Sequence, residues 1–508
     1  MNSRDSAPEH RTRTSSYLVF LLGFGLILFL GHSPFLSLPY FWDELGQFVP
    51  AALDIYHDGA LVPHSAVPNV HPPGVMAWLA LVWKIAGYSI PATRVAMLLP
   101  AVAGVMFGFL LAIQLSRGLD GAPAFYAVLL LLVDPLFYTQ SMMAQLDMPA
   151  MVFTLAGLLF FLQGRHRTAA LACTALVLAK ETGILLPFIC GVALLLRKGD
   201  ERQAVWYAAP FIALTAWLVL LWHTTGHLFG DPGFAHYNIA YSLQPVHAAV
   251  SLFRRIYFLS FADFRWIGLI AIAFGWRHGV FSGAGWRVTG LFAAAHTILV
   301  SLLGGAELER YLLPVLPILY IAVAASLMVL PRFWRNAGAM LLSMGLLLGL
   351  FVNPPYPFPY ENNLAMADFV ELHHSAASYL EQLYAHQSIY TAWPLTAALR
   401  RPEFGYVHRG LKTVETSDLH ASTLSRLDPH RVDVLVLYSR TWEPSWGVLR
   451  LASVRDFLGR FYEYEPQMDA QQVRDRLGLR QVIRYTRRGQ WIAIYARGME
   501  GTVYQVQR

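Results

Sequence analysis

The sequence predicts a polytopic α-helical membrane protein with a soluble α/β domain at its C-terminal end. Three observations carry this: an apolar composition, a series of eleven apolar runs, and a change of composition at residue 353. The chain has 508 residues, of which 56% are hydrophobic and only 14% charged, and its mean hydropathy is +0.43. A set of soluble domains of this length would carry nearly twice that charge. The formal charge of +6 does not point to nucleic acid, because Lys and Arg gather in short loops rather than on one face. Cys173 and Cys190 lie inside apolar runs, so neither a disulfide framework nor a metal-ligand spacing is present.

The N-terminal "MNSRDSAPEHRTRTSS" is polar and basic. The apolar run that follows, 17–36, is too long for a signal-peptide core and lacks a small-residue cleavage site, so it reads as a retained first membrane helix. Ten more runs follow near 94–115, 121–138, 146–163, 169–180, 183–196, 204–222, 257–275, 288–303, 311–330 and 336–352. About eleven transmembrane helices are therefore expected. The runs at 169–180 and 183–196 fall short of the roughly 20 residues a span needs and imply helices shielded by neighbours or a thinned bilayer.

"HPPGVMAWLALVWKIAGY", residues 71–88, is apolar enough to count as a span but begins with two prolines and carries Lys84. Charge decides against crossing. If it stays on one side, every second connection is basic: Arg4, Arg11 and Arg13; Arg117; Arg165 and Arg167; Arg197, Lys198 and Arg202; Arg277 and Arg287; Arg332 and Arg335. That is the positive-inside pattern, and it reads 71–88 as an interfacial or re-entrant helix. The expected topology is multi-pass in the cell (inner) membrane with a cytoplasmic N-terminus. Its first domain, 1–353, carries an outer loop, 37–93, with interfacial helices.

At 353 the proline-rich "NPPYPFPYENN" leads into ordinary soluble composition. "QSIYTAW", "VDVLVLY" and "QWIAIYA" read as strands, and "LAMADFVELHHSAASYLEQL" and "SVRDFLGRF" as amphipathic helices. The second domain, 354–508, is thus an α/β domain on the periplasmic or extracellular face, and it has no phosphate-binding glycine loop.

With that topology the unusual charges face one compartment. Asp43 and Glu44 follow the first helix in "SLPYFWDELGQF", and Asp147 opens another helix in "MAQLDMPAMVF". Taken singly, these are solvated loop charge or a helix cap. Together they can converge to deprotonate a hydroxyl or to hold a divalent cation, with Asp43 and Asp147 as the metal ligands. His71, Arg94, Lys180, Arg310 and Tyr311 fall on the same edge. Singly these are snorkelling cations; jointly they suit the phosphate of a lipid.

The ordered stretches "FWDELGQF", "NVHPPGVMAW", "TRVAMLLPAVAGV", "MAQLDMPAMVF", "LAKETGILLP" and "ERYLLPVLP" resemble polyprenyl-phosphate-sugar glycosyltransferases of the GT-C type. The protein O-mannosyltransferases and lipid A aminoarabinose transferases (glycosyltransferase families 39 and 83) are the most similar. The resemblance covers roughly residues 17–330. It implies a GT-C fold and transfer of a sugar from a polyprenyl-phosphate donor to a hydroxyl of a glycolipid, glycan or protein acceptor in the cell envelope. It also implies that Asp43 is the general base, with Glu44 and Asp147 positioning the acceptor or a metal. The lipid phosphate falls to His71, Arg94, Lys180, Arg310 and Tyr311. The pattern departs from the mannosyltransferases after His-Pro-Pro, where "GVMAW" replaces their Leu-Gly-Lys, and from the aminoarabinose transferases at His71, where they carry Lys. A transporter or flippase of lipid-linked saccharides is the alternative. Its mark would be charges facing one another on broken helices within the membrane, and Asp263 and Arg265 in "SFADFRWIGL" are the residues that fit it.

Overall fold

The computed structural model describes residues 7–443, 447, 451–497 and 504–507, with side chains from residue 17 to 497. Arg4 and the side chains of Arg11 and Arg13 lie outside the described residues. The chain divides into two compact units. One comprises the residues up to Leu36 together with Ala51–Leu350; the other joins Ser37–Pro50 to the residues from Phe351 on. The segment 37–50, expected as part of the membrane domain because it follows the first helix, belongs to the second unit.

The first unit is a helix assembly: α1 (Ala7–His32), α2 (Val49–Asp58), α3 (Gly74–Ala86), α4 (Ile90–Leu115), α5 (Pro123–Leu132), α6 (Pro135–Gln140), α7 (Asp147–Leu162), α8 (His166–Ala179), α9 (Leu185–Leu195), α10 (Ala208–Thr225), α11 (Pro232–Ala235), α12 (Pro245–Ser260), α13 (Arg265–Arg277), α14 (Ala284–Leu302), α15 (Leu316–Leu327) and α16 (Arg332–Gly349). Helix occupies each of the eleven expected runs. Among the described residues, Tyr17–Phe35, Ile90–Leu115 and Glu201–Thr225 are long and apolar enough to cross a membrane in one piece. A fourth candidate is the pair α12 and α13, bent by 49° at a short break. α7 is apolar on nearly every side and sits at the centre, packed against α4 and α8. The outer faces stay apolar too: Leu22 is 64% exposed, Phe253 72% and Leu196 81%. An apolar surface of that extent suits a bilayer rather than water.

α3 has thirteen residues, about 20 Å of helix against a hydrocarbon core of about 30 Å. Its start is fixed by Gly74, where a Cβ would lie 2.4 Å from the Leu178 carbonyl oxygen of α8. Only glycine lets the His-Pro-Pro turn approach that backbone.

The run 121–138 is broken at Asp134, which accepts a hydrogen bond from the Phe137 amide at 2.8 Å and so opens α6 with Pro135 behind it. Asp134 also meets Arg265 (2.6 Å), which in turn pairs with Asp263 (2.9 Å) and donates to the Tyr320 hydroxyl (3.2 Å). Tyr320 donates to the same Asp134 carboxylate. Asp263 and Phe264 have φ of 51° and 64°, a strained pair that the Arg265 clamp retains at the bend. Gly345 of α16 makes room for it, since a Cβ there would sit 2.4 Å from Phe264.

The second unit carries a six-stranded mixed sheet of order β2-β1-β3-β5-β4-β6: β1 (Ile389–Ala392), β2 (Thr413–Thr416), β3 (Val434–Tyr438), β4 (Arg480–Arg487), β5 (Gln490–Ala496) and β6 (Tyr504–Gln507). β1 pairs in parallel with β2 and β3, β5 runs antiparallel between β3 and β4, and β6 lies parallel to β4. α17 (Ala365–Leu383) packs on β4 and β5, with α18 (Leu395–Arg400), α19 (Ala421–Leu424), α20 (Ala452–Tyr462) and α21 (Ala470–Leu477) completing it. All five residues of β3 are buried, as a central strand covered on both faces requires.

Candidate active site

Within the first unit the sequence-predicted basic residues gather at one end of α7. Asp147 is the first residue of α7, where the helix dipole favours a carboxylate. Lys180 follows α8 in extended conformation and its Nζ pairs with one Asp147 oxygen. Arg310, in the short helix Glu309–Leu312, places its Nε 3.2 Å from the other. All three are buried. The neighbouring Tyr311 ring takes Lys180 Nζ at 4.1 Å from its centroid and the Arg310 guanidinium at 5.6 Å. A third cation, Arg255 of α12, lies 5.6 Å from the same ring and is held by the Val300 and Leu308 carbonyls. Three cations thus surround one aromatic ring, two of them paired with Asp147 and the third held by backbone carbonyls, an arrangement that suits a bound anion.

The other predicted residues brace this cluster. His71 Nδ1 stands 2.9 Å from Glu181 Oε2, directly beside Lys180, and its ring abuts Phe234. Arg94, buried near the start of α4, donates to the Met142 carbonyl at 3.1 Å and so holds the loop that leads into Asp147. Sequence reasoning missed Arg255. Its signal was the doubled arginine in "LFRRIYF", which an amphipathic helix places partly inward: Arg254 pairs with buried Glu309 while Arg255 reaches the cluster. It also missed Gln145, whose buried side-chain amide has no hydrogen-bond partner among the described residues, two positions before Asp147.

Asp43 and Glu44 belong to the second unit and take different environments. Glu44 is fully buried and accepts from the Phe41 amide at 2.8 Å, which closes the turn; Asp43 stays half-buried. Trp42, at φ 45°, packs edge-on against Trp393 and Phe369, with Arg440 over its face.

A divalent cation does not fit the Asp147 end of the expected pair. Both Asp147 oxygens face cations, and among the described residues no three His, Cys, Asp or Glu side chains stand close enough together to hold a metal ion.

No family model matches the sequence, and no curated protein does. Solved structures do match. ArnT from Cupriavidus metallidurans bound to undecaprenyl phosphate aligns over 95% of this chain and 98% of its own, at 15% identity and a TM-score of 0.54; its apo form gives 16% and 0.56 over the same shares. The archaeal oligosaccharyltransferase AglB from Archaeoglobus fulgidus, in complex with an inhibitory peptide and a dolichol-phosphate, aligns over 84% of this chain and 69% of its own, at 10% identity and a TM-score of 0.50. With a helical membrane unit, an α/β unit and these neighbours, the chain has the GT-C fold.

Proposed function

We propose that this protein is a membrane glycosyltransferase that moves a sugar from a polyprenyl-phosphate donor to an acceptor hydroxyl at the outer face. The observation that carries this reading is the buried trio Lys180, Arg255 and Arg310 around Tyr311, at the end of helices whose lipid-facing sides suit an isoprenoid tail. ArnT has been solved with undecaprenyl phosphate and AglB with a dolichol-phosphate, ligands of the same class as the proposed donor.

The chemistry follows from the donor. Its anomeric carbon already bears a phosphate, so the enzyme has to hold that group, exclude water and activate the acceptor. The acceptor oxygen attacks the anomeric carbon as the carbon–phosphate oxygen bond breaks. Asp43 takes the hydroxyl proton, and the polyprenyl phosphate leaves against the three cations. One displacement inverts the anomeric centre. The donor is a hexose or pentose and the acceptor a glycolipid, glycan or protein. The cations that take the phosphate belong to the membrane unit and the proposed base Asp43 to the second, whose C-terminal part lies on the periplasmic or extracellular side.

The transport reading would draw on the Asp134–Arg265–Asp263 cluster at the α12–α13 bend. Arg265 there is already partnered by both carboxylates, Tyr320 and two carbonyls, which suits a brace rather than a substrate path. Incubation of purified protein with a panel of radiolabelled polyprenyl-phosphate sugars and native membrane extract tests the choice. Release of polyprenyl phosphate with label on a new acceptor is the expected result; intact donor across the whole panel would overturn it.

A further inference from the structure

The other end of the first unit holds a second polar cavity. Asp147 opens α7 and Leu162 closes it, so the two ends are about 22 Å apart. At the far end a cavity of about 650 Å³ is lined by Arg117, Arg197, His166, Asp200 and Trp286. Both arginines are exposed, and among the described residues neither is in an ion pair. The one carboxylate in the lining, Asp200, leaves the cavity with a net positive wall.

A separate groove of about 370 Å³ lies between α9 and α14. Its walls are Phe188, Val192 and Leu196 of the α9 side and Val288 and Leu291 of α14, with Arg287 also in the lining. The two spaces are lined by consecutive residues, Leu196 with Arg197 and Trp286 with Arg287, so they lie next to each other. α9 has eleven residues, about 16 Å of helix, which matches half of a hydrocarbon core of about 30 Å. A basic cavity adjacent to an apolar groove one leaflet deep matches the two halves of a phospholipid. A free phosphate would use only the first half of it.

We propose that Arg117, Arg197 and Arg287, with the α9–α14 groove, form a binding site for an anionic phospholipid of the adjoining leaflet. The arginines take the phosphate and headgroup, and the groove takes an acyl chain. The site is separate from the Asp147 cluster and does not depend on the reading of its chemistry.

Native mass spectrometry of delipidated protein in detergent tests it, with phosphatidylglycerol and phosphatidylcholine of identical chains as probes. Wild type should retain the anionic lipid preferentially. The R117Q/R197Q double variant should lose roughly 30-fold in affinity for it, at about fivefold per surface arginine. R165Q/R167Q, which removes the same charge outside the cavity, should retain it. Leu291→Trp should weaken the long-chain lipid while leaving a dihexanoyl analogue unchanged. Equal retention of both headgroups, equal loss in the two double variants, unchanged long-chain binding by Leu291→Trp, or displacement of the lipid by millimolar inorganic phosphate would each overturn the proposal.

Discussion

Asp43 and Glu44 are adjacent in sequence and unlike in structure, and that difference sets their expected phenotypes. Asp43→Asn preserves size but cannot accept a proton, so turnover should fall about 100- to 10,000-fold while donor binding holds. Glu44→Gln should cost less in rate, since Glu44 spends its carboxylate on the Phe41 amide. Rate and donor affinity measured on the same preparations separate the two, and near-normal turnover by Asp43→Asn would refute its role as base. On the donor side, Lys180→Ala or Arg310→Ala should weaken binding of the lipid-phosphate sugar by about 1.5–3 kcal/mol, roughly 10- to 150-fold. Unchanged donor affinity in both would take them out of the site.

At the scale of elements, the bend between α12 and α13 depends on one guanidinium. Arg265→Met should destabilise the protein by about 3–5 kcal/mol, because it strands Asp134 in a dry interior; thermal unfolding in detergent reads the loss, and an unshifted midpoint would mean the clamp is ornamental. In α17, His373 is stacked on Phe369 with ring centroids 3.8 Å apart, and burial pushes it down to about 3, against a weaker upward pull from its bond to the Phe369 carbonyl. The folded state therefore keeps the ring neutral while the unfolded chain protonates below about 6.5. This contribution is whole above that pH and is lost as pH falls towards 3. Acidification from pH 7 to 5 should cost about 2 kcal/mol through this group. His373→Leu should be less acid-sensitive than wild type in unfolding scans at the two pH values. Neither residue's environment was legible in the sequence. Hydropathy placed helix in each of the eleven apolar runs, because burial in lipid needs only an apolar run, but it missed α2, α11 and most of α12; alternation found β1, β3 and β5. The break at Asp134 had a local signal, Asp-Pro inside an apolar stretch, that the run's length obscured. Its partner Arg265 lies far along the chain, so the pair belongs to tertiary packing. The basic cluster was legible because topology alone brings helix ends together, whereas Arg255 sat in a segment taken for loop.

For the whole molecule, the alternation of basic connections expects Gly59 and Glu307 outside and Gly164 and Gly199 inside. Single cysteines at these sites can be probed with an impermeant reagent, since Cys173 and Cys190 are buried; labelling of Gly164→Cys from outside would require residues 71–88 to span. The second unit has a further consequence. Tyr40 accepts from the Tyr406 hydroxyl at 2.7 Å and Gly46 lies against Trp393, so Ser37–Pro50 finds these partners only after roughly 350 further residues have been made, some 20–70 s of translation at common rates. Throughout that interval Tyr40, Phe41 and Trp42 wait on the nascent chain without their docking surface. A chain released early, or cut before Phe351, would present this aromatic stretch as a handle for quality-control proteases, so a truncated product should be cleared faster than a full-length one carrying any of the site substitutions above.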